Sequence, residues 1–387
     1  MALPLRYSFR NVLIRWRSTL SLILGIALVV FVFVLMQSLA EGIKRSSGNT
    51  GDPRNIMIVR KGSTAESASQ ISFQNLRELQ YFEEIARNER GEPIISADVL
   101  VLVNLPRLDG SGEANVLLRG ISPRGVELRP QVRLVEGRWF TPGKREIVVS
   151  ARMAKRFANF GIGQSVRAGT ATLTVVGWME GGGSAFDSEC WMDADECRAI
   201  FERELYSSFL VRPTSAGAGT NLLNRIEADR RFKLKAEKEV DYYSKQTMTA
   251  GPIRALGGFL AIMMSVGAVF AAMNTMYASI GARTREIGTL RVLGFRRRSV
   301  VLALLIEGAL LALIGGVVGC GVAYLWNGYT TATMGFETFS EIVFEFTVTP
   351  RLMAEGLIFA VIVGLLGSFL PSVRASRLPV IAALKSI

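Results

Sequence analysis

Four long runs with almost no charge constrain this chain more than any motif does. No charged side chain occurs from Thr19 to Ala40 ("TLSLILGIALVVFVFVLMQSLA"), from Ala255 to Ala282 or from Gly356 to Val373, and Val300 to Phe336 holds only Glu307. A helix needs about 20 mostly apolar residues to cross a hydrocarbon core of about 30 Å. Backbone polar groups in lipid must be satisfied internally, which a helix does by itself. The sequence therefore predicts four transmembrane helices, at 18–40, 253–282, 299–326 and 352–372.

The short segments around these spans carry opposite charge. Arg6, Arg10, Arg15 and Arg17 precede the first; Arg283, Arg285, Arg291, Arg296, Arg297 and Arg298 cluster between the second and third; Arg374, Arg377 and Lys385 follow the fourth. Glu337, Glu341 and Glu345 lie between the third and fourth. Basic residues in short loops stay on the cytoplasmic side, so both termini and residues 283–298 are expected there. Residues 41–252 then form a large outer domain, 327–351 a short outer loop, and 373–387 a cytoplasmic tail. A cleaved signal peptide is disfavoured because its apolar region is about 7 to 15 residues. Residues 1–17, with Leu5, Phe9, Val12, Leu13 and Trp16 at helical spacing among arginines, read as an amphipathic helix in the membrane interface. The formal net charge is +12; membrane lipids are the expected partners of the basic flanks, and no nucleic-acid partner is expected.

The outer domain reads as mixed α and β. "NIMIVRKG" suggests a strand and 72–87 a helix with Leu76, Leu79, Phe82 and Ile85 on one face. Short strand-like runs such as "IISADVLVLVNL", "ANVLLRGIS", "REIVVSARMA" and "ATLTVVGWM" follow. "DADECRAIFERE" looks like a helix with Asp193 as N-cap. After "YSSFLVRP" and the flexible-looking "TSAGAGT" (214–220) come a helix and "KLKAEKEVDYY", a strand or sheet edge. The order suggests a split α/β unit interrupted by a β-rich subdomain at 93–205. The expected fold class is thus a four-helix membrane protein with an extracytoplasmic α+β domain between its first two spans.

Few residues suggest chemistry. The chain has no histidine, which removes histidine-based triads and metal sites. "GRWFTPGKR" has five residues between its glycines and Arg145 after Lys144, so it departs from a phosphate-binding loop. "MEGGGSAF" reads as a turn, and Asp193, Asp195 and Glu196 as an acidic helix start. No catalytic residue and no metal ligand is expected. The spacing of Cys190 and Cys197 permits a disulfide without requiring one, and two reduced thiols are the simpler reading. Cys320 reads as a small packing residue. Glu307 is costly in lipid and should face other helices. Gly315 and Gly319 form a small-xxx-small step suited to close helix packing.

The arginine-rich segment also has helical periodicity. Glu286, Ile287, Leu290 and Leu293 share an arc on a wheel of about 100° per residue, whereas Arg285 and Val292 point elsewhere. A carboxylate within an apolar stripe suits a short helix docked in a protein groove.

"ASIGARTREIGTLRVLGFRRRSVVLALLIEGALLALIGGVVG" (278–319) resembles the segment joining the second and third spans of MacB-type and FtsX-like ABC permeases. "PSVRASRLPVIAALKSI" is similar to their closing motif and "RYSFRNVLIRWRSTLSLILGIALVV" to their first helices. "LLRGISP" and "LVEGRWFTPGKREIVVSARMAKRFANFGIGQSVRAGTATLTVVGWM" resemble their periplasmic core. The tail departs from the pattern, with "LPVIAAL" where an acidic residue often precedes the proline.

The resemblance implies a permease half with four spans, a second permease copy as homodimer or related heterodimer, and a cytoplasmic ABC ATPase dimer supplied separately. ATP and Mg would bind that ATPase, with no cofactor in this chain. Arg283, Arg285, Glu286, Ile287, Gly288, Leu290, Arg291, Leu293 and Gly294 would form the coupling helix in the ATPase groove. ATP hydrolysis would move the outer domains by mechanotransmission in a bacterial inner membrane, driving export or extraction of a lipoprotein, peptide or small molecule, with a periplasmic adaptor left open. The alternative is an FtsX-like regulator that activates an outer partner such as a cell-wall hydrolase. About 210 residues outside the membrane favour transport.

Overall fold

The computed structural model describes residues 16–229, 231–246, 251–281, 284–334 and 341–377. The expected interfacial helix falls almost entirely outside the described residues, as do Arg283 and tail residues 378–387. The chain divides into two compact units, one of residues 1–41, 252–329 and 345–387, the other of residues 42–251 and 330–344.

The first unit is helical. Helix α1 runs over Trp16–Gly48, and four stretches are long and apolar enough to cross a membrane: Ile23–Ser46, Gly258–Gly281, Arg297–Tyr324 and Pro350–Ser376. The last begins with Pro350 at the first helical turn, where a missing N–H costs nothing, and Thr349 Oγ1 caps it by accepting from Leu352 N at 3.2 Å.

Small residues set how closely these helices approach. A Cβ on Gly315 would sit 2.8 Å from Ile23 O, and one on Gly319 would sit 2.5 Å from Ala27 O and 3.0 Å from Val30 Cβ. Gly316 faces Ala360, Gly356 faces Val34, and Gly367 faces Ala272, each too close for an added methyl group. Lipid gives little hydrophobic drive to helix association, so such backbone contacts carry the packing. Around them Ile26, Val30, Val34, Leu311, Ala312 and Ala360 are buried together, and Phe33 stacks on Phe359 with centroids 4.5 Å apart. Gly319→Leu is expected to separate the first and third spans and to destabilise the bundle by about 1–3 kcal/mol through overpacking. Gly321→Leu, at a position with no atom within 4 Å of its added Cβ, is the control. Equal thermal midpoints for the two variants in detergent would refute this packing.

The second unit is built on one ten-stranded sheet in the order β10-β1-β9-β2-β3-β8-β5-β7-β4, with β6 paired to β7. In chain order the strands are β1 (Ile56–Arg60), β2 (Ile95–Pro106), β3 (Glu113–Ile121), β4 (Arg133–Gly137), β5 (Glu146–Ser150), β6 (Ser165–Ala168), β7 (Ala171–Glu180), β8 (Glu189–Asp193), β9 (Ser208–Val211) and β10 (Leu234–Lys238). Alternating side chains fill two cores. Ile56 and Ile58 enter one, with Val99, Val149 and Phe209; Met57 and Val59 enter the other, with Val148, Phe186 and Trp191. This period of two is the signature of a sheet covered on both faces.

Strand β2 joins the two parts of the domain. Its residues Ile95–Asp98 pair with β9 of the split α/β unit, and Val99–Pro106 pair with β3 of the inserted part. Helix α2 (Phe73–Leu79) is shorter than expected. Beyond it the backbone makes i→i+3 bonds, with Phe82 N donating to Leu79 O and Ile85 N to Phe82 O. Phe82 and Ile85 remain buried, because a spacing of three also suits tight turns.

Ser150 caps the single turn α3 (Ala151–Ala154), and Asp193 caps α4 (Ala194–Ile200) by accepting from Glu196 N. "TSAGAGT" is not a flexible segment but the start of α5 (Ala216–Ala228), capped by Ser215. Its small residues let the helix lie close to β1, since a Cβ on Gly219 would already be 3.5 Å from Ile56 Cδ1. The stretch expected as a strand through Tyr243 stops at Lys238, and α6 (Glu239–Gln246) buries Tyr242 and Tyr243.

The remaining elements are α7 (Gly251–Gly281), α8 (Thr284–Val292), α9 (Arg297–Tyr324), a hairpin of β11 (Thr330–Met334) and β12 (Glu341–Glu345), and α10 (Pro350–Ser376). The hairpin lies in the short outer loop but belongs to the sheet-containing unit. Val343 is 1% exposed within its core, and Ser188 Oγ accepts from Val343 N at 2.8 Å.

Candidate functional site

The segment between α7 and α9 forms the nine-residue helix α8. Gly294 ends it: φ is +89° there, a left-handed conformation that glycine adopts without strain. Leu293 N still donates to Thr289 O and Gly294 N to Arg291 O, after which Arg296 begins α9. Thr284 Oγ1 donates to Gly281 O at 2.9 Å and joins α8 to the end of α7.

Of the four residues expected to share one face, Ile287 and Leu293 have described side chains, and they lie in different surroundings. Ile287 is 6% exposed and packs with Met276, Ile280, Val300, Leu304 and Ala375 inside the helical unit. Gly288 is also buried, while Arg291 Nη1 donates to Ser376 O at 3.2 Å and ties α8 to the end of α10. Val292 and Leu293 are instead 61% and 68% exposed, with Arg285, Gly294, Arg296, Arg297 and Arg298 also in the open. Ile287 and Leu293 lie about 120° apart on the helical wheel, so one can be buried while the other is exposed. The side chains of Glu286 and Leu290 lie outside the described set.

The other singled-out residues are buried or hold turns. Glu307 faces inward at 6% exposure, and Gly315 and Gly319 contact the first span. Cys190, Cys197 and Cys320 are free and buried. Cys190 lies mid-strand opposite Leu118 and Val149, whereas Cys197 lies on α4 against Gly120, and the two are not joined. Burial pushes the Cys197 thiol up to about 12 and Cys190 higher still. "GRWFTPGKR" connects β4 to β5, where Arg138 binds Glu146 through two bonds of 2.7 Å and lowers its pKa to about 2. In "MEGGGSAF" the Asp187 carboxylate accepts from Gly181 N and Gly183 N and holds the turn.

Comparison with known proteins covers both units. The family model for MacB-like periplasmic core domains matches residues 18–228, and that for FtsX-like permease C-terminal domains matches 258–380. The chain belongs to the MacB/FtsX-like family of ABC transporter permeases. MacB of Nitrosomonas europaea, a macrolide export ATP-binding/permease protein, is 26% identical over 403 residues, covering 96% of this chain and 57% of that protein. The ABC transporter permease YknZ of Bacillus subtilis is 31% identical over 138 residues, 36% of this chain and 32% of that one. The chain therefore spans about half the length, or less, of these relatives. Among solved structures, the periplasmic region of MacB from Actinobacillus actinomycetemcomitans matches at TM-score 0.39 and 15% identity, over 52% of this chain and 94% of that one.

The permease's outer domain also holds a buried ionic cluster that sequence reading missed. Arg119, 1% exposed, donates from Nε to Glu189 Oε2 at 2.7 Å, from Nη1 to Glu66 at 2.9 Å and to Asp98 at 3.3 Å. Arg129 Nη2 donates to Asp98 Oδ2 at 2.5 Å, and the Phe186 ring lies against both guanidinium groups. Tyr243 Oη and Ser208 Oγ donate to Glu66, and Trp191 Nε1 donates to Glu189. Glu239, at the start of α6, accepts from Asp52 N and Asn55 Nδ2, both at 2.8 Å. It thereby joins the chain that follows α1 to the element that precedes α7.

Two members of the cluster titrate in opposite senses. Burial alone would raise Glu66, but Arg119, Ser208 and Arg129 together outweigh it and hold the carboxylate below its usual range. Burial raises Glu239, only partly offset by Arg129, whose Nε lies 3.9 Å from Glu239 Oε1. A lowered carboxylate loses stabilisation as pH falls through its folded value; a raised one loses it as pH rises through its folded value. Glu239→Gln keeps the neutral form at every pH. Relative to the parent it should gain thermal stability as pH rises above the ordinary glutamate value of 4.5. Midpoints that stay a constant distance apart from pH 5 to 8 would refute the raised pKa.

Proposed function

We propose that this chain is the membrane-spanning half of an ABC export system, driven by an ATPase that lies outside these 387 residues. The carrying observation is the exposed Val292–Leu293 tip on a helix otherwise fastened into the bundle by Ile287 and Arg291. An apolar tip ringed by arginines suits a groove on a protein partner better than water. A push on this tip reaches α7, α9 and α10 through the Ile287 cluster. Because interlocked glycine contacts leave no slack between the spans, the displacement continues along them.

The outer domain receives that motion through the segments that follow α1 and precede α7, joined at Glu239. The β11–β12 hairpin adds a third connection, from the loop between α9 and α10 to Ser188. The loop arginines support cytoplasmic termini and a bacterial inner-membrane location. ATP and Mg belong to the ATPase. The exposed apolar faces of α7, including Ile262, Met263 and Phe270, suit lipid and a second permease copy. The export name of MacB supports an outward-directed cargo handled in the periplasm, where an adaptor would dock.

A photoreactive benzoylphenylalanine at position 293 should trap a cytoplasmic ABC ATPase, while the same probe at position 287 should not. Capture from 287 and none from 293 would sink the proposed contact.

A further inference from the structure

A cavity of about 540 Å³ opens in the outer domain between β1, β10 and the start of α5. That volume lies in the range of small-molecule sites, which combine apolar walls with a few placed polar groups. Ile56, Ala86, Pro213 and Leu223 supply apolar wall, and Thr214, Ser215 and Ala216 line it where α5 begins.

The charge of the lining is one-sided. Arg54, Arg212 and Lys238 line the cavity, and among the described residues no aspartate or glutamate does. Behind the wall, Asp52 serves both arginines, binding Arg54 Nη2 at 2.6 Å and Arg212 Nη2 at 3.2 Å. One carboxylate against two guanidinium groups leaves a positive excess, to which Lys238 adds. Arg212 is also held by Asn55 Oδ1, at 2.9 Å from Nε and 2.7 Å from Nη2. It is therefore oriented before any ligand arrives, which lowers the ordering cost of binding. The positive end of the α5 dipole favours the same sign of ligand.

We infer that this cavity binds a small amphipathic anion, with a carboxylate-type or phosphate-type head at Arg54, Arg212 and Lys238 and a compact apolar body against Ile56, Pro213 and Leu223. Arg54 and Arg212 each spend one side of the guanidinium on Asp52 or Asn55, so an anionic head meets their remaining N–H groups and the Lys238 ammonium, each a charge-assisted donor. The body displaces water from the apolar wall. The site lies within the outer domain and its occupancy needs no ATP, so it stands or falls separately from the proposed coupling to an ATPase.

The test uses the full chain in phosphatidylcholine nanodiscs without any ATPase, titrated calorimetrically with 2-naphthoate, 2-naphthamide and inorganic phosphate, with empty nanodiscs subtracted. Naphthoate should bind saturably and at least about tenfold more tightly than the uncharged amide, the gain expected of one charge-assisted contact. Lys238→Glu, on an exposed strand position, should weaken naphthoate by about tenfold or more. Thr220→Trp, on the exposed face of α5, should abolish binding by filling the cavity while leaving the thermal midpoint near the parent's. If Lys238→Glu lowers that midpoint, Lys238→Gln takes its place and should weaken binding in the same direction. Equal binding of naphthoate and naphthamide would overturn the anion site. Phosphate bound as tightly as naphthoate would overturn the apolar body in favour of a free anion. Absence of naphthoate binding, or binding unchanged in Thr220→Trp, would overturn the site itself.

Discussion

Arg119→Met should lower the unfolding midpoint of the outer domain by roughly 10 °C or more. Removing one partner from a buried ionic group costs about 3–5 kcal/mol, because the remaining charges stay in the interior without compensation. For a domain of this size each kcal/mol moves the midpoint by about 2–4 °C. The substitution strips Glu66 and Glu189 of their main cation and leaves Asp98 with Arg129 alone. Adding Glu66→Gln and Glu189→Gln to Arg119→Met should recover part of the loss, since a neutral set no longer carries stranded charge. Differential scanning fluorimetry of the full chain reads both. A shift below about 3 °C for the single variant would show that the cluster contributes little.

Gly294→Val should impair ATP-driven function by about tenfold without preventing membrane insertion, and Gly294→Asn should not. No atom lies within 4 Å of an added Cβ at this position, so crowding is not the issue; the +89° φ is. A β-branched residue is strained there by about 1–3 kcal/mol, whereas asparagine tolerates the left-handed region. Valine would rebuild the turn and move the Leu293 tip. A displacement of about 1 Å can cost as much as a hundredfold in a process that depends on position. Leu293→Asp should give the same loss by another route, placing a charge where an apolar contact is expected. The measurement is stimulation of a co-reconstituted ATPase in proteoliposomes. Full stimulation with both Gly294→Val and Leu293→Asp would remove α8 as the coupling element.

The four spans were legible because bilayer thickness dictates their length and charge exclusion marks their ends. Strand positions such as Ile56 to Val59 were legible because a strand covered on both faces reads as an unbroken apolar run. Asp193 was legible as a cap because its chemistry is local. Arg119 was not: in "ANVLLRGIS" a charged residue among apolar ones looks like a solvent-facing strand position. Only the approach of Glu66, Asp98 and Glu189, at sequence separations of 53, 21 and 70, makes it a core residue. Helix α8 was legible as an element, but which part of its face is buried was not. Ile287 and Leu293 stand about 120° apart on the wheel, and only packing against α7, α9 and α10 selects the first for burial.

The twelve residues of β2 bear on what kind of body the outer domain is. Its first four residues are bonded to β9 and its last eight to β3, so no linker separates the two parts of the domain. Bending between the split α/β unit and the inserted part would have to break the ladder within β2 itself, so the sheet-containing unit is expected to behave as one body with no internal hinge there.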